Sequence, residues 1–341
     1  MMPSIATDHD LDEALTTPRP PLLEFIRNVS SPLLVLGAGG KMGPSLAVLA
    51  RRAADVAGHL IDIVAVSRFS EAKTQFWLEQ RGVKTMQADL LEADDVSNLP
   101  DASDVIYLAG LKFGTAQNPS LTWAVNTLAP AHVANRYVSA RVVALSTGNV
   151  YPFVPVESGG AQEDHPLIPL GEYANAAVAR ERIFDYFSRK NNTRMALMRL
   201  NYAVELRYGV LVDIARKVWA GEPIDVSNGW FNCIWQADAN EMILRALGLA
   251  TCPARAWNLT GPTVGVRQVA QQFSELLDRP VAFAGAESST ALLSNSSALN
   301  AELGPPATSL DTVISWIAQW VKAGGSCLNR PTHFEVRNGT F

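Results

Sequence analysis

Short apolar runs rich in β-branched residues recur along the first two thirds of the chain, and longer amphipathic segments separate most of them. Six such runs are PLLVLGA, IDIVAVS, VKTMQAD, DVIYLAG, RVVALST and MALMRLN. The segments between them, such as GPSLAVLARRAADVAG, have the apolar spacing of helices. Strands that are apolar on both faces and alternate with helices are typical of a parallel sheet covered on both sides. The pattern therefore predicts an α/β fold with a doubly wound parallel sheet.

The pattern changes toward both ends of the chain. The first 30 residues are polar and rich in proline (TTPRPPLLEF), which predicts an arm that packs on the body or on a neighbouring subunit. After about residue 200 the rhythm becomes irregular, although AWNLTG predicts one more strand. A final helix, TSLDTVISWIAQWVKAGG, has a start signal at Ser309 and a double-glycine stop. The predicted units are an arm (1–30), a sheet domain (31–200 and 233–262), a smaller α/β substrate domain (201–232 and 263–325) and a tail (326–341).

Composition and charge argue against several classes of partner. The 341 residues carry a formal net charge of −5 without a block of lysine or arginine, which disfavours nucleic acid and anionic membranes. Cys233, Cys252 and Cys327 lie far apart, and the five histidines are scattered, so neither a disulfide framework nor a metal site is predicted. No apolar run reaches the roughly 18 residues that span a bilayer. The acidic N-terminus lacks the order of a signal peptide, which favours a cytoplasmic location.

The first apolar run ends in the glycine-rich turn GAGGKMG, a form of the G-x-G-x-x-G motif. Such a turn is tight, lets the backbone approach a pyrophosphate, and directs the free amides at a helix start toward the anion. The sequence therefore predicts dinucleotide binding, with a bare structural turn as the alternative. The predicted contacts are Gly37, Gly39, Gly40, Lys41, Met42 and Gly43.

The end of the second predicted strand indicates which dinucleotide is bound. An acidic residue there would accept a hydrogen bond from the 2′-hydroxyl of NAD, but this chain has Ser67 followed by Arg68. Arginine can pair with a 2′-phosphate, and Lys41 adds a second positive charge. The sequence therefore favours NADP over NAD as the cofactor, with an Arg68 that lies only in solvent as the alternative.

Two further strand ends are candidate cofactor contacts. Asp89 and Leu90 end the third strand, and the carboxylate of Asp89 could accept from the adenine amino group or cap the following helix. Ala109 and Gly110 end the fourth strand and are small where a cofactor would pass.

Together these segments resemble the extended short-chain dehydrogenase/reductase family, the NAD(P)-dependent sugar epimerases and dehydratases. The resemblance covers residues from about 32 to about 320 and rests on the order of many short motifs. They are GAGGKMG, ADL, YLAGLK, WAVN, LSTGNVYP, GEYANAAVARE, RLNYAV, QADANEMILRAL, WNLTG and SALNAELGPP. The resemblance implies a Rossmann-type NAD(P)-binding domain, a substrate domain and a cofactor contact at Asn126. It also implies a homodimer formed by the helices around Asn126 and Tyr173.

In this family a Ser/Thr and a Tyr polarise the substrate oxygen while hydride moves to or from nicotinamide; the matching residues are Thr147 and Tyr173. A family lysine four residues after the tyrosine binds the nicotinamide ribose and lowers the tyrosine pKa, but this chain has Ala177 there. A phenol with the reference pKa of about 10 is a poor base unless a positive charge stabilises the phenolate. Lys112 is the candidate replacement, with a surface lysine as the alternative. Arg180 is expected to lie too far along the helix.

The residues after the catalytic threonine bear on the type of reaction. Family dehydratases carry Thr-Asp-Glu at this point, whereas here Thr147 is followed by Gly148 and Asn149. Dehydration is therefore disfavoured, although Glu205 or Asp164 could supply a carboxyl group. Oxidation, reduction or epimerisation of a hydroxyl or carbonyl is favoured. A cofactor-binding sensor or partner protein with little turnover is the main alternative, motivated by the missing lysine.

The substrate positions also depart from the family. Nucleotide-sugar enzymes often carry an arginine that clamps the diphosphate, and the matching position holds Phe231. The aromatic residues Trp230, Phe231 and Trp235 could stack on a sugar ring or belong to the core. A small carbohydrate or sugar acid is therefore favoured, with a nucleotide-sugar 4-epimerase as a further alternative. The predicted substrate contacts are Asn149, Asn201, Tyr202, Trp230 and Phe231.

Overall fold

A seven-stranded sheet lies at the centre of the computed structural model, which describes residues 5–111, 117–330, 332–337 and 339. The strands are β1 (Leu33–Leu36), β2 (Ile63–Ser67), β3 (Lys84–Gln87), β4 (Asp104–Tyr107), β5 (Arg141–Thr147), β7 (Arg194–Leu200) and β12 (Arg255–Leu259). They run in the order β12-β7-β5-β4-β1-β2-β3, and every pairing is parallel. The predicted doubly wound sheet is confirmed, and the predicted strand AWNLTG forms its edge.

The strand order reverses between β1 and β4, where successive crossovers leave the sheet in opposite directions. In open parallel sheets, ligands bind in the crevice that such a reversal opens at the carboxyl ends of the strands. The glycine turn after β1 and the end of β4 both lie at this crevice, so the topology places the predicted cofactor residues together.

Helices cover both faces of the sheet. Along β1, Leu33 and Val35 pack into one apolar layer and Leu34 and Leu36 into the other, so alternate residues serve opposite faces. The helices are α1 (Asp8–Thr16), α2 (Pro20–Phe25), α3 (Gly43–Ala57), α4 (Ala72–Glu79), α5 (Ala93–Ser97), α6 (Pro119–Arg136), α7 (Gly171–Asn191), α8 (Val210–Ala220), α9 (Gln236–Arg245), α10 (Val266–Leu277), α11 (Ser297–Leu303) and α12 (Leu310–Lys322).

The N-terminal arm packs on the body of the same chain. Helices α1 and α2 lie against α3 and α9. Arg19 donates to the carboxylates of Asp238 at 2.6 Å and Glu241 at 2.8 Å, both on α9. Because both carboxylates are buried, this ion pair fixes the arm on α9.

A second apolar core lies beside the sheet, formed mainly by α8, α10 and α12. Helix α12 begins as its sequence predicts, since the Ser309 hydroxyl accepts from the Thr312 amide at 3.3 Å. The remaining strands are short pairs: β6 (Val154–Pro155) with β15 (Thr290–Ala291), β8 (Ala203–Val204) with β11 (Ile234–Trp235), β9 (Ile224–Asp225) with β14 (Phe283–Ala284), and β10 (Trp230–Asn232) with β13 (Thr263–Gly265). No helix within the described ranges is long and apolar enough to cross a membrane.

Candidate active site

Three glycines at the turn between β1 and α3 have no room for a side chain, because their backbone lies against neighbouring atoms. Gly37 has a φ of +81°, and a Cβ there would lie 2.6 Å from the Ala109 amide nitrogen at the end of β4. A Cβ on Gly39 would lie 2.5 Å from the Ser67 hydroxyl oxygen, and one on Gly43 would lie 2.5 Å from a backbone oxygen. Within the described structure no side chain caps α3, so its first amides are available to an anion. The turn fits a pyrophosphate.

A cavity of about 250 Å³ opens beside this turn and joins most of the predicted site. The glycine turn forms one end, and the carboxyl end of β5 with the start of α7 forms the other. The predicted site residues that line this cavity are Gly37, Gly40, Lys41, Met42, Gly43, Gly110, Thr147, Asn149, Tyr173, Asn201 and Tyr202. A larger cavity of about 660 Å³ between α8, α12 and the C-terminal residues contains none of the predicted site residues.

The proposed catalytic pair occupies the end of the cavity away from the turn. Thr147 is the last residue of β5, and its hydroxyl lies 3.2 Å from the Asn149 amide nitrogen and 3.3 Å from the Asn149 side-chain oxygen. Tyr173 lies in the first turn of α7 and is largely buried. Both side chains therefore border one space. Neither Glu205 nor Asp164 lines this cavity, and Glu205 instead pairs with an arginine two residues away.

Position 177, where the family has its lysine, is part of the core. Ala177 is fully buried in an apolar cluster that also holds Val150 and Tyr151. Lys112, the predicted replacement, lies outside the described residues. Contrary to expectation, Arg180 lines the same cavity as Tyr173, although its side chain is 4% exposed.

The contacts of Arg180 involve two residues predicted to touch the cofactor. Its Nη1 donates to the Ala109 carbonyl at 3.2 Å and to the Asn126 side-chain oxygen at 3.0 Å. The Asn126 amide donates in turn to the Thr122 carbonyl at 2.8 Å. Asn126 is fully buried, so it reaches the cavity through Arg180. Gly110 leaves room for the same guanidinium, because a Cβ there would lie 2.5 Å from Nη1.

The end of β2 presents the exposed side chain of Arg68, which is 70% accessible to solvent. One of its nitrogens lies 3.8 Å from the carboxylate of Asp89. The other oxygen of Asp89 accepts from the Leu91 amide at 3.0 Å, so this carboxylate closes the turn before α5. Leu90 is buried in the core on that face. This contact is not the predicted helix cap, because the N-cap of α5 is Glu92. The adenine contact of Asp89 stays a prediction.

Lys41, predicted as a second positive charge for a 2′-phosphate, has its amine in contact with other residues of the chain. Its amine donates to the Ala203 carbonyl at 2.6 Å and lies 4.1 Å from the centre of the Tyr208 ring. Burial raises the pKa of Tyr208 to about 12, so its ring stays neutral beside the ammonium. Lys41 and Tyr208 both line the cavity.

A second, smaller cavity of about 50 Å³ adjoins the catalytic end and collects the predicted substrate residues. Its wall, which we call the substrate wall after those predictions, includes Asn149, Tyr202, Trp230 and Phe231. Trp230 is half-buried, whereas the Phe231 ring is almost fully buried and stands edge-on to Tyr202 with 6.4 Å between ring centres. Burial raises the pKa of the Tyr202 phenol. The wall is aromatic and uncharged at these positions, which suits the face of a sugar ring.

Asn201 and Trp235, which the sequence also placed near the substrate, contact other side chains of the chain. Asn201 lines the cavity of about 250 Å³ beside the glycine turn, where its side-chain oxygen accepts from the Ser294 hydroxyl at 3.1 Å. Trp235 packs against Trp316 with 5.4 Å between ring centres and belongs to the helical core. Trp235 therefore follows the core alternative and lies away from the substrate wall.

The C-terminal residues, for which the sequence offered no interpretation, form part of the substrate wall. Val336 and Gly339 line the smaller cavity. Arg337 donates to the Asn228 side-chain oxygen at 3.0 Å and to the Thr290 carbonyl at 2.7 Å. The Gly339 carbonyl lies against Gly171, the first residue of α7. The segment that we call the C-terminal strap (332–337 and 339) thus contacts the helix that carries Tyr173.

A buried polar network fixes α7 against the sheet. The Glu181 carboxylate accepts from Arg199 on β7 at 2.8 Å and from the Ser146 hydroxyl on β5. Arg199 also donates to the Tyr151 hydroxyl at 2.6 Å, which donates to Asn258 on β12 at 2.9 Å. Burial raises the pKa of Tyr151, and the Arg199 charge opposes that shift. The network ties one helix to three strands and sets where Tyr173 lies.

Comparisons with known proteins agree with this architecture. Residues 33–212 match the sequence model described as the NAD dependent epimerase/dehydratase family. No curated protein matches the chain. Many solved structures share the fold, and three of them are described below.

MoeE5, solved in complex with UDP-glucose and NAD, is 21% identical with a TM-score of 0.68 over 86% of this chain and 99% of its own. Epimerase Mth375 from Methanothermobacter thermautotrophicus is 17% identical with a TM-score of 0.72 over 88% and 95%. DesIV, a dTDP-glucose 4,6-dehydratase from Streptomyces venezuelae solved with NAD and TYD bound, is 14% identical with a TM-score of 0.69 over 85% and 96%. At these identities the likeness shows the fold.

Proposed function

The chain belongs to the NAD dependent epimerase/dehydratase family, and we propose that it is an NAD(P)-dependent oxidoreductase or epimerase acting on a hydroxyl or carbonyl of a carbohydrate or sugar acid. One observation carries the proposal. A single cavity has the glycine turn at one end and Thr147 with Tyr173 at the other. A dinucleotide anchored by its phosphates at the turn would extend toward the two hydroxyl groups.

Each part of the cavity has a defined task in this proposal. The amides of the glycine turn hold the pyrophosphate, and the nicotinamide, when bound, supplies or accepts the hydride. The Thr147 hydroxyl holds the substrate oxygen by a hydrogen bond, while the Tyr173 hydroxyl gives or takes the proton of that oxygen. Net oxidation or reduction uses this pair once. Epimerisation uses it twice and returns the cofactor to its starting state.

The choice between NAD and NADP depends on Arg68 in this proposal. Arg68 is exposed at the end of β2, where it can turn toward a 2′-phosphate. The Lys41 amine contacts the Ala203 carbonyl and the Tyr208 ring, so we do not count it toward binding of a 2′-phosphate. We therefore keep both dinucleotides as cofactors and assign any preference for NADP to Arg68 alone.

The substrate proposal rests on the wall around Trp230. A half-buried indole beside Asn149 and Tyr202 offers a flat apolar face with polar groups at its edge, which matches a sugar ring. Phe231 occupies the position of the family's diphosphate clamp and lies in the core. A sugar without a nucleotide is therefore favoured. The nucleotide-sugar alternative is kept because MoeE5 and DesIV are described with such ligands.

We further propose a cytoplasmic homodimer formed by α6 and α7. These adjacent helices expose the large apolar side chains of Leu121, Trp123, Leu128 and Tyr186. A second copy of the same face would bury them, as isologous contacts do. Sedimentation equilibrium of wild type and Leu128→Glu tests this: a dimer that the substitution dissociates supports the proposal, and a wild-type monomer contradicts it.

Two assays with NAD or NADP across a panel of sugars, sugar acids and nucleotide sugars test the function directly. Absorbance at 340 nm detects net oxidation or reduction, and proton NMR of the sugar detects epimerisation, which leaves no net change in the cofactor. We expect turnover with at least one free sugar or sugar acid, and a loss of about 100- to 10,000-fold in Tyr173→Phe with cofactor binding retained. Turnover confined to nucleotide sugars supports the 4-epimerase alternative. Cofactor binding without turnover for the entire panel contradicts the proposal and supports the sensor alternative.

A further inference from the structure

A buried arginine in the wall of the cofactor cavity has no carboxylate partner among the described residues. Arg180 is 4% exposed, and its Nη1 donates to two neutral oxygens, those of Ala109 and Asn126. Its Nε is buried and has no hydrogen-bond partner within the described structure. A buried charge held only by neutral acceptors is costly, and such charges are normally compensated by an anion. The arrangement therefore points to an anionic ligand in the cavity.

The location of the guanidinium connects it to the glycine turn. Gly110 lies directly against Nη1, and Ala109, whose carbonyl accepts from Arg180, touches Gly37 through its backbone nitrogen. The guanidinium thus stands at the end of β4, next to the site proposed for the pyrophosphate. A dinucleotide that leaves the turn toward Tyr173 passes this point.

Helix geometry explains how a residue so far along α7 reaches the cavity. Seven residues separate Arg180 from Tyr173, about two turns or roughly 10 Å, and the two lie on nearly the same face. Side chains in helices lean toward the N-terminus, so a long arginine extends back toward Tyr173. Ala177, one turn from Tyr173, brings no charge and is packed in the core. Arg180 brings a positive charge from one turn further along.

We infer that Arg180 is a positioning residue for the cofactor: its guanidinium binds oxygen atoms of the phosphate–ribose backbone of the dinucleotide, and Asn126 fixes its orientation. This inference rests on the proposed function, since it requires a nicotinamide dinucleotide in the cavity. The planar, permanently charged guanidinium suits phosphate oxygens, which it can bind through two nitrogens. Arg180 thereby takes over the cofactor-binding part of the role that the family assigns to the lysine missing at position 177.

Calorimetric titration with NADH tests the inference in wild type, Arg180→Gln, Arg180→Lys and the matched control Arg182→Gln. Arg182 is exposed on the same helix. We expect Arg180→Gln to weaken NADH binding about 10- to 100-fold, as removal of a hydrogen bond to a charged group does. Arg182→Gln should stay within about twofold of wild type. Wild-type affinity in a folded Arg180→Gln variant would overturn the inference.

If Arg180→Gln does not fold, NADH binding by Arg180→Lys tests the inference instead. It keeps the charge but loses the planar fork, and we expect binding about 3- to 10-fold weaker than wild type. Unchanged binding in this variant would contradict the role of the guanidinium. Failure of wild type to bind any nicotinamide dinucleotide would instead contradict the proposed function together with the inference.

A double-mutant cycle separates cofactor positioning from mere support of the fold. Asn126→Ala should weaken NADH binding when Arg180 is present and have little further effect in Arg180→Gln, because Asn126 acts through Arg180. Additive losses in the cycle would contradict that coupling.

Discussion

The candidate active site has two walls, one formed mainly by backbone atoms and the other by side chains. The wall at the glycine turn is mainly backbone, and Gly37, Gly39 and Gly43 lie within one heptapeptide at positions where a Cβ would clash. The substrate wall is made of side chains, such as those of Asn149 and Trp230, from segments far apart in the chain. A backbone wall can be recognised from local spacing, whereas a side-chain wall exists only after the chain has folded. The first is also less tolerant of substitution than the second.

Breaking the buried network that fixes α7 against the sheet should have the largest effect. Glu181→Gln removes one partner of the buried ion pair with Arg199 and leaves its charge without a counterion. We expect a loss of about 3–5 kcal/mol in the free energy of unfolding, measured by urea denaturation. Asp185→Asn, which removes a more exposed ion pair on the same helix, is the control and should shift the midpoint little. Equal midpoints for the two variants would contradict a supporting role for the network.

Adding one methyl group to the backbone wall should have the next largest effect. In Gly37→Ala the new Cβ meets the Ala109 nitrogen and the residue retains a positive φ, so we expect about 2–3 kcal/mol of destabilisation and NADH binding weakened more than about 100-fold. Gly58→Ala is a matched control, because Gly58 also has a positive φ, of +66°, but open space around its Cβ. That variant should lose only about 1 kcal/mol and bind NADH normally. Normal NADH binding by Gly37→Ala, measured by fluorescence, would contradict the assignment of the turn.

The contrast between the walls also explains what the sequence predicted. The strands of the sheet, the glycine turn and the start of α12 at Ser309 depend on neighbouring residues, and all were predicted. The cavity role of Arg180 was missed because it depends on the space that Gly110 leaves, 70 residues earlier in the chain. The family resemblance assigned Asn126 to the cofactor, and nothing in its local sequence indicates the arginine that it binds.

The C-terminal strap could not be predicted for the same reason. Arg337 binds Asn228 and Thr290, which lie 109 and 47 residues away in the sequence. No local motif encodes such contacts. A useful signal would have been that Gly171, at the start of α7, has a positive φ and lies against Gly339, but this too appears only in the folded chain. The catalytic role of Lys112 stays a prediction.

Loosening the strap should affect the substrate wall alone. Arg337→Met removes the hydrogen bonds to Asn228 and Thr290 but leaves the glycine turn untouched. We expect amide hydrogen exchange in residues 332–337 to become about tenfold faster, while NADH affinity stays at the wild-type value. Hydrogen exchange followed by mass spectrometry measures the first and calorimetry the second. Unchanged exchange in the strap would show that Arg337 does not hold it.

The smallest effect is expected at Arg68, whose exposed side chain follows the end of β2. Arg68→Ala removes a solvent-accessible guanidinium, so we expect the ratio of NADPH to NADH affinity to fall about three- to tenfold and NADH binding itself to change little. Titrating both reduced nucleotides into wild type and variant gives this ratio. A ratio that does not change would mean that Arg68 lies only in solvent.

A crystal structure with bound NADH would show whether one dinucleotide spans the cavity from the glycine turn to the catalytic pair. We expect the pyrophosphate to lie against the amides of residues 39–43 and the nicotinamide to face Thr147 and Tyr173. The guanidinium of Arg180 should contact phosphate or ribose oxygens of the dinucleotide. An ordered dinucleotide whose pyrophosphate lies away from the turn, or whose nicotinamide points away from Tyr173, would contradict this expectation.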